Sequence, residues 1–293
     1  MANISKTMLT DRAILSVSGP DSREFLQGLI SNDIEKVSPT KAIYAAFLTP
    51  QGKYLFDFFI SQVGDELLID CERARSADFM KRLRLYRLRA KVEVADRSEA
   101  FNVIALWGEN AAASCDLAPE TGAAMPLTDG VIYVDPRLPD AGLRTVISGD
   151  NPGIDADDVD ITAYDEHRLV LGLPDSSRDL VVDKSILLES GLDDLNGIDW
   201  DKGCYMGQEV TARSKYRGLV KKRLVPVNFE GDAPEPGSSI MSGDKNAGEM
   251  RSSTNGKGLA LMRLEYLESN TPLTSADNPS TILIPDKPDW VSF

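Results

Sequence analysis

Apolar and polar positions along this chain fall into short alternating runs and longer helical repeats, divided by glycine and proline. Residues 13–18 read as a strand, and Gly19-Pro20-Asp21 then opens a stretch whose apolar positions Phe25, Leu26 and Leu29 suit a helix. Residues 42–48 and 53–61 flank Thr49-Pro50-Gln51-Gly52, where proline at the second position and glycine at the fourth predict a type I turn and hence a hairpin. A third strand is expected over 66–71 after Gly64-Asp65, and residues 72–89 have the length and residue types of a helix. The segment 150–160 holds Asp150, Asp155, Asp157, Asp158 and Asp160 but lacks the glycine and closing glutamate of a calcium loop, so it reads as an acidic surface linker. Thr162-Ala-Tyr-Asp165 resembles a capping box, and Gly172 with Pro174 closes the helix that follows.

From about Leu224 the pattern changes to short strands over 224–229, 239–241, 248–252, 257–264 and 281–284, separated by glycine, proline and serine. That spacing predicts a small β-barrel or sandwich and places a boundary near Val220. The fold class expected is therefore α+β over residues 1–220, in two interleaved subdomains with the second roughly 42–150, followed by a C-terminal β-barrel over 221–293.

Composition narrows the function. A length of 293 residues with 42% hydrophobic content supports a substantial core. No apolar run of the ~18 residues that a membrane helix needs is present, and the first residues lack a signal-peptide pattern, so a cytoplasmic protein without membrane contact is expected. Cys71, Cys115 and Cys204 are odd in number and widely spaced, which argues for reduced thiols. His167, the single histidine, has no partner at metal-ligand spacing and is assigned to the helix surface or to packing, so no metal site is expected. A net charge of −14 disfavours general nucleic-acid binding. Two basic stretches run against that average: Lys81, Arg82, Arg84, Arg87, Arg89 and Lys91, then residues 215–223. They could receive a ligand with several carboxylates or phosphates, or, at residues 215–223, a local piece of RNA, whereas composition alone favours two solvated helical or strand faces.

The most specific chemistry lies at 202–213. Lys202-Gly203-Cys204-Tyr205, a free position at Met206, then Gly207-Gln208-Glu209 and Arg213 resembles the signature of the YgfZ/Iba57 family, with every fixed position matched. A looser resemblance to the glycine-cleavage (GcvT-like) aminomethyltransferases extends through residues 17–33, the hairpin at Gly52, Arg168 with Gly172 and Pro174, and the C-terminal strands. It implies an aminomethyltransferase-like (T-protein-like), folate-binding core, with tetrahydrofolate or a derivative as cofactor. It also implies a role in assembly or repair of iron–sulfur proteins, with those clients or assembly factors as partners.

The residues themselves are consistent with a reactive site. Gly203 and Gly207 permit tight turns around Cys204, and helical character over 208–216, with Lys202 and Arg213, would favour the thiolate. Cys204 is thus the expected reactive thiol, with Lys202 and Tyr205 beside it and Gly203, Gly207, Gln208, Glu209 and Arg213 completing the motif. A pterin needs a carboxylate or amide for its donor edge and cations for its glutamate tail, for which Asp57 and Arg89 are candidates. As a residue of an alternating strand, Asp57 could equally face solvent. Aminomethyl-transferring relatives resemble one another in having two adjacent acids here, whereas this chain has Phe56-Asp57. The expectation is a transferase-like fold without classical aminomethyltransferase activity; the alternative is a folate-dependent one-carbon transferase.

Overall fold

The computed structural model describes residues 4–268 and 271–293. The chain divides into two compact units, one of Met1–Gln51, Leu55–Ile161 and Leu195–Gln208, the other of Gly52–Tyr54, Thr162–Asp194 and Glu209–Phe293.

The first unit contains two sheets. One has five strands in the order Ile43–Leu48, Tyr54–Val63, Glu66–Glu72, Arg12–Ser18, Glu93–Asp96. Its long strand is buried on both faces: Phe56, Phe58 and Ile60 enter the main hydrophobic core, and alternation turns Asp57 and Phe59 the other way. The helix Ser76–Tyr86 covers the core side through Phe79, whose ring lies 4.6 Å from Phe56 and 4.9 Å from Phe58. This helix is shorter than the 72–89 expected. Arg73 still donates its backbone N–H to Asp11, and Leu88 at a φ of 46° cannot continue the helix.

The second sheet has six strands in the order Asp157–Asp158, Ser5–Met8, Asn102–Trp107, Leu143–Ile147, Gly130–Val134, Ala124–Leu127. Part of the acidic segment read as a linker is thus an edge strand, pairing in parallel with Ser5 and Lys6 while its own side chains stay exposed. Cys71 and Cys115 are buried, each within one of this unit's hydrophobic clusters.

In the second unit six strands close into a barrel, in the order Lys222–Phe229, Lys257–Arg263, Lys245–Thr254, Ser239–Ser242, Leu273–Ser275, Ile282–Pro285. Closure leaves no unpaired sheet edge, and Val225, Val227, Ile240, Met250, Ala260, Met262 and Leu283 fill the interior. The helix Ile161–Leu171 begins ahead of Thr162, so that residue lies in its first turn and not at its cap. Its Arg168 is buried, with Nη1 2.7 Å from Asp179 and Nη2 2.8 Å from the Ser252 hydroxyl. His167 is half-buried on the same helix.

Candidate functional site

The motif begins in an irregular stretch that two turns of chain hold in place. Residues 28–33 follow the helix Ser22–Gln27, and residues 196–206 run beside them. Asn32 Nδ2 donates to the Asn196 carbonyl (2.8 Å), the Ser31 hydroxyl to the Gly197 carbonyl (2.5 Å) and the Met206 N–H to the Gly28 carbonyl (3.2 Å). The Asp199 N–H donates to the Ser31 carbonyl at 3.0 Å. Two sequence patterns 170 residues apart are therefore the two sides of one clasp.

Lys202 sits at its centre. Its Nζ lies 2.8 Å from the Gln27 carbonyl, 2.6 Å from that of Ile30 and 2.6 Å from that of Asn32. Burial pushes this ammonium down to about 8, against the opposing pull of Asp33 and Asp199. Asp199 is itself held below the usual carboxylate range: burial would raise it, but Lys36 at 2.6 Å and backbone donors lower it.

Gly203 and Gly207 have φ of 89° and 83°, a region that residues with a Cβ rarely enter. Between them Cys204 is exposed, Tyr205 is buried with its ring centroid 5.3 Å from Lys202 Nζ, and Met206 packs against the core. The helix Gln208–Tyr216 starts four residues after the thiol; Gln208 is half-buried, and exposed Glu209 accepts from Arg213 Nη2 at 2.9 Å. The two cations expected to act on Cys204 are thus directed elsewhere, Lys202 at carbonyls and Arg213 at Glu209.

Asp57 is buried, which removes the solvent-facing alternative; its Oδ2 accepts from the Tyr44 hydroxyl at 2.7 Å. Around it lies an ionic network that no local sequence pattern marks. Arg12 and Arg144 both bind Asp70, Arg137 pairs with Asp135, and the guanidiniums of Arg137 and Arg144 lie 5.0 and 4.1 Å from the Phe59 centroid. A buried carboxylate flanked by aromatic rings fits the donor edge and ring of a pterin. Arg89 does not join it: the residue is exposed in the turn after Ser76–Tyr86 and its side chain makes no hydrogen bond or ion pair among the described residues. In the second basic stretch Arg223 is buried and bidentate to Asp193 (2.6 and 2.9 Å), so it belongs to the interior and not to an RNA-facing surface. Lys215, Arg217 and Lys221 are exposed.

The architecture matches a crystal structure of the glycine cleavage system aminomethyltransferase T from Bartonella henselae with a TM-score of 0.80, over 99% of this chain and 87% of that one, at 14% identity. The fold class is thus the α+β aminomethyltransferase type with a C-terminal barrel. Residues 10–118 match the GCVT N-terminal domain family and residues 221–293 the CAF17 C-terminal beta-barrel domain family. The mitochondrial iron–sulfur cluster assembly factor IBA57 of Homo sapiens is 30% identical over 96% of this chain and 84% of its own length. The Neurospora crassa IBA57 homolog, also mitochondrial, is 36% identical over 78% of this chain and 55% of its length. The chain belongs to the IBA57/YgfZ family.

These relatives correct the cytoplasmic expectation, because they are mitochondrial proteins. Cysteines stay reduced in more than one compartment, so that criterion does not separate the mitochondrion from the cytosol. Among the described residues no helix is long and apolar enough to cross a membrane.

Proposed function

We propose that this chain supports iron–sulfur cluster assembly as an accessory protein that binds tetrahydrofolate or a derivative and presents the Cys204 thiol to a client or assembly factor. The observation that carries the reading is that thiol: exposed, between two glycines of positive φ, on a turn clasped to the core at both ends. Kinship with proteins named for iron–sulfur cluster assembly supplies the context. Protein-bound clusters are commonly held by four ligands. Cys71 and Cys115 are buried, and among the described residues no group of three or more His, Cys, Asp or Glu side chains is arranged for a metal. Cys204 therefore supplies one ligand to a cluster that a partner chiefly holds, and the cluster is cargo.

Folate enters through the fold and through Asp57. When bound it would supply one-carbon chemistry or an ordered aromatic ligand. This chain's own contribution is the buried carboxylate that Tyr44 orients, with Phe59 beside it. Beside Asp57, where the resemblance to aminomethyl-transferring proteins would call for a second acid, this chain has Phe56, stacked on Phe79 in the core, which favours the accessory role over turnover. The test uses cells lacking the native protein and supplied with the wild type or Cys204→Ala. Loss of iron–sulfur enzyme activity with an unchanged melting temperature supports the reading; full activity from a stably folded variant refutes it.

A further inference from the structure

An ammonium has three hydrogens to donate and, while charged, no lone pair. Lys202 directs all three donors at main-chain carbonyls, those of Gln27, Ile30 and Asn32, at 2.6–2.8 Å. None remains for a substrate, so the place of this lysine beside Cys204 needs another explanation than chemistry on a ligand.

The acceptors supply it. All three carbonyls belong to residues 27–32, and that same turn is tied to the motif segment on both sides of Lys202, through Asp199 and Gly197 before it and Met206 after it. The Lys202 carbonyl also lies 3.5 Å from Gln27 Nε2. Cys204 stands midway between Lys202 and Met206, two residues that are both bound to the turn. Without a cation, three convergent carbonyls would be left unsatisfied and repelling one another, and the chain between these anchors would no longer be held.

We infer that Lys202 is a positioning residue: its ammonium fills a cation seat made by the carbonyls of Gln27, Ile30 and Asn32, and so fixes the turn that presents the Cys204 thiol. The inference rests on Cys204 being the working group proposed above. Lysine suits the seat because a compact, rotatable ammonium can address three carbonyls around one point, whereas the donors of a guanidinium lie in a plane. Carbonyl rings that replace the hydration shell of a small monovalent cation follow the same logic.

The experiment is chemical rescue on the full chain. Lys202→Ala is compared with the wild type by hydrogen exchange over 26–34 and 196–207 and by the rate at which iodoacetamide alkylates Cys204. Removing the ammonium should speed exchange of the Asp199 and Met206 amides by ~10–100-fold and change the alkylation rate by at least ~3-fold. Added ethylammonium should restore both toward wild type. Tetramethylammonium at equal concentration, which carries no N–H, should not. Lys202→Arg should behave like the alanine variant. Asn32→Ala, which leaves the lysine intact but cuts the side-chain bonds to the Asn196 and Tyr44 carbonyls and to the Asp33 N–H, should shift alkylation in the same direction. If Lys202→Ala does not fold, Lys202→Met keeps the alkyl stem and takes its place. Unchanged exchange, full restoration by arginine, or lost protection with an unaltered alkylation rate would each overturn the inference. No readout requires iron, folate or a client, so the outcome is independent of whether Cys204 proves essential in cells.

Discussion

Arg144 reaches from the six-stranded sheet to Asp70 on the five-stranded sheet, with Nη2 2.6 Å and Nε 3.1 Å from Asp70 Oδ2. Arg12 takes the other carboxylate oxygen at 2.7 Å, and Asp70 and Arg144 are almost fully buried. A buried ion left without its partner is much more costly than the pair is stabilising. Asp70→Ala should therefore destabilise the protein by about 3–5 kcal/mol in denaturant titration. Replacing Asp70, Arg12 and Arg144 together by apolar residues of similar size should cost less than that single change. A triple-variant loss equal to the sum of the three single losses would show that the network is not coupled.

The same carboxylate sets an acid limit. Burial would raise Asp70, but Arg12 and Arg144 overcome it and hold the group below the usual carboxylate range. Between that depressed value and the unfolded value of about 3.9, the unfolded chain binds more protons than the folded one, so stability falls as pH falls. Asp175 behaves alike in the other unit: burial raises it, and Arg168 and Arg178 outweigh this. The melting temperature should hold steady from pH 7 to about 5 and drop steeply below about 4. In Asp70→Asn the curve should start lower and slope less in that acid window; an unchanged slope would remove Asp70 as a source of acid sensitivity.

Legibility in the sequence followed local punctuation. The barrel strands could be read because glycine, proline and serine mark their ends, although Leu273–Ser275, three residues long, left too little pattern. The helix Gln208–Tyr216 was read from residue types alone. By contrast, Asn102–Trp107, Gly130–Val134 and Leu143–Ile147 are buried along nearly their whole length, which erases the alternation that marks a half-exposed strand. At the site, Cys204 and its glycines carry a visible pattern. The seat of Lys202 does not, because its acceptors are main-chain oxygens that any residue possesses. Arg223 looked like the other cations of its basic run; only the fold brings Asp193 to it.

Exposure ranks the three thiols. Cys204 is open to solvent, whereas Cys71 is 1% and Cys115 8% exposed. Burial pushes the Cys71 thiol up to about 12 and raises that of Cys115. Reaction of a buried thiol requires local opening, so mass-mapped alkylation of the native protein should label Cys204 first, by at least ~100-fold over Cys71. Labelling of Cys115 at the rate of Cys204 would contradict the ranking.

Folate binding, if Asp57 receives the pterin, must depend on its charge and on the hydroxyl that orients it. Isothermal titration of the wild type with tetrahydrofolate should give saturable binding. Asp57→Asn replaces a charge-assisted acceptor by a neutral amide and should weaken binding ~10–100-fold, the range for a hydrogen bond to a charged group. Tyr44→Phe removes the donor 2.7 Å from Oδ2 while keeping the ring that lies 5.1 Å from Phe59, so its loss should be smaller, ~3–10-fold. Because Asp57 lies near Arg12 in the buried network, each variant also needs a melting curve to separate lost binding from a disturbed core. Arg89→Ala is the contrasting case: its exposed side chain is screened by salt, so any loss should be under ~3-fold and should shrink as ionic strength rises. Equal affinity in the wild type, Asp57→Asn and Tyr44→Phe, with all three folded, would place any folate away from this carboxylate. Absence of heat with the wild type at millimolar ligand would remove folate from the proposed function altogether.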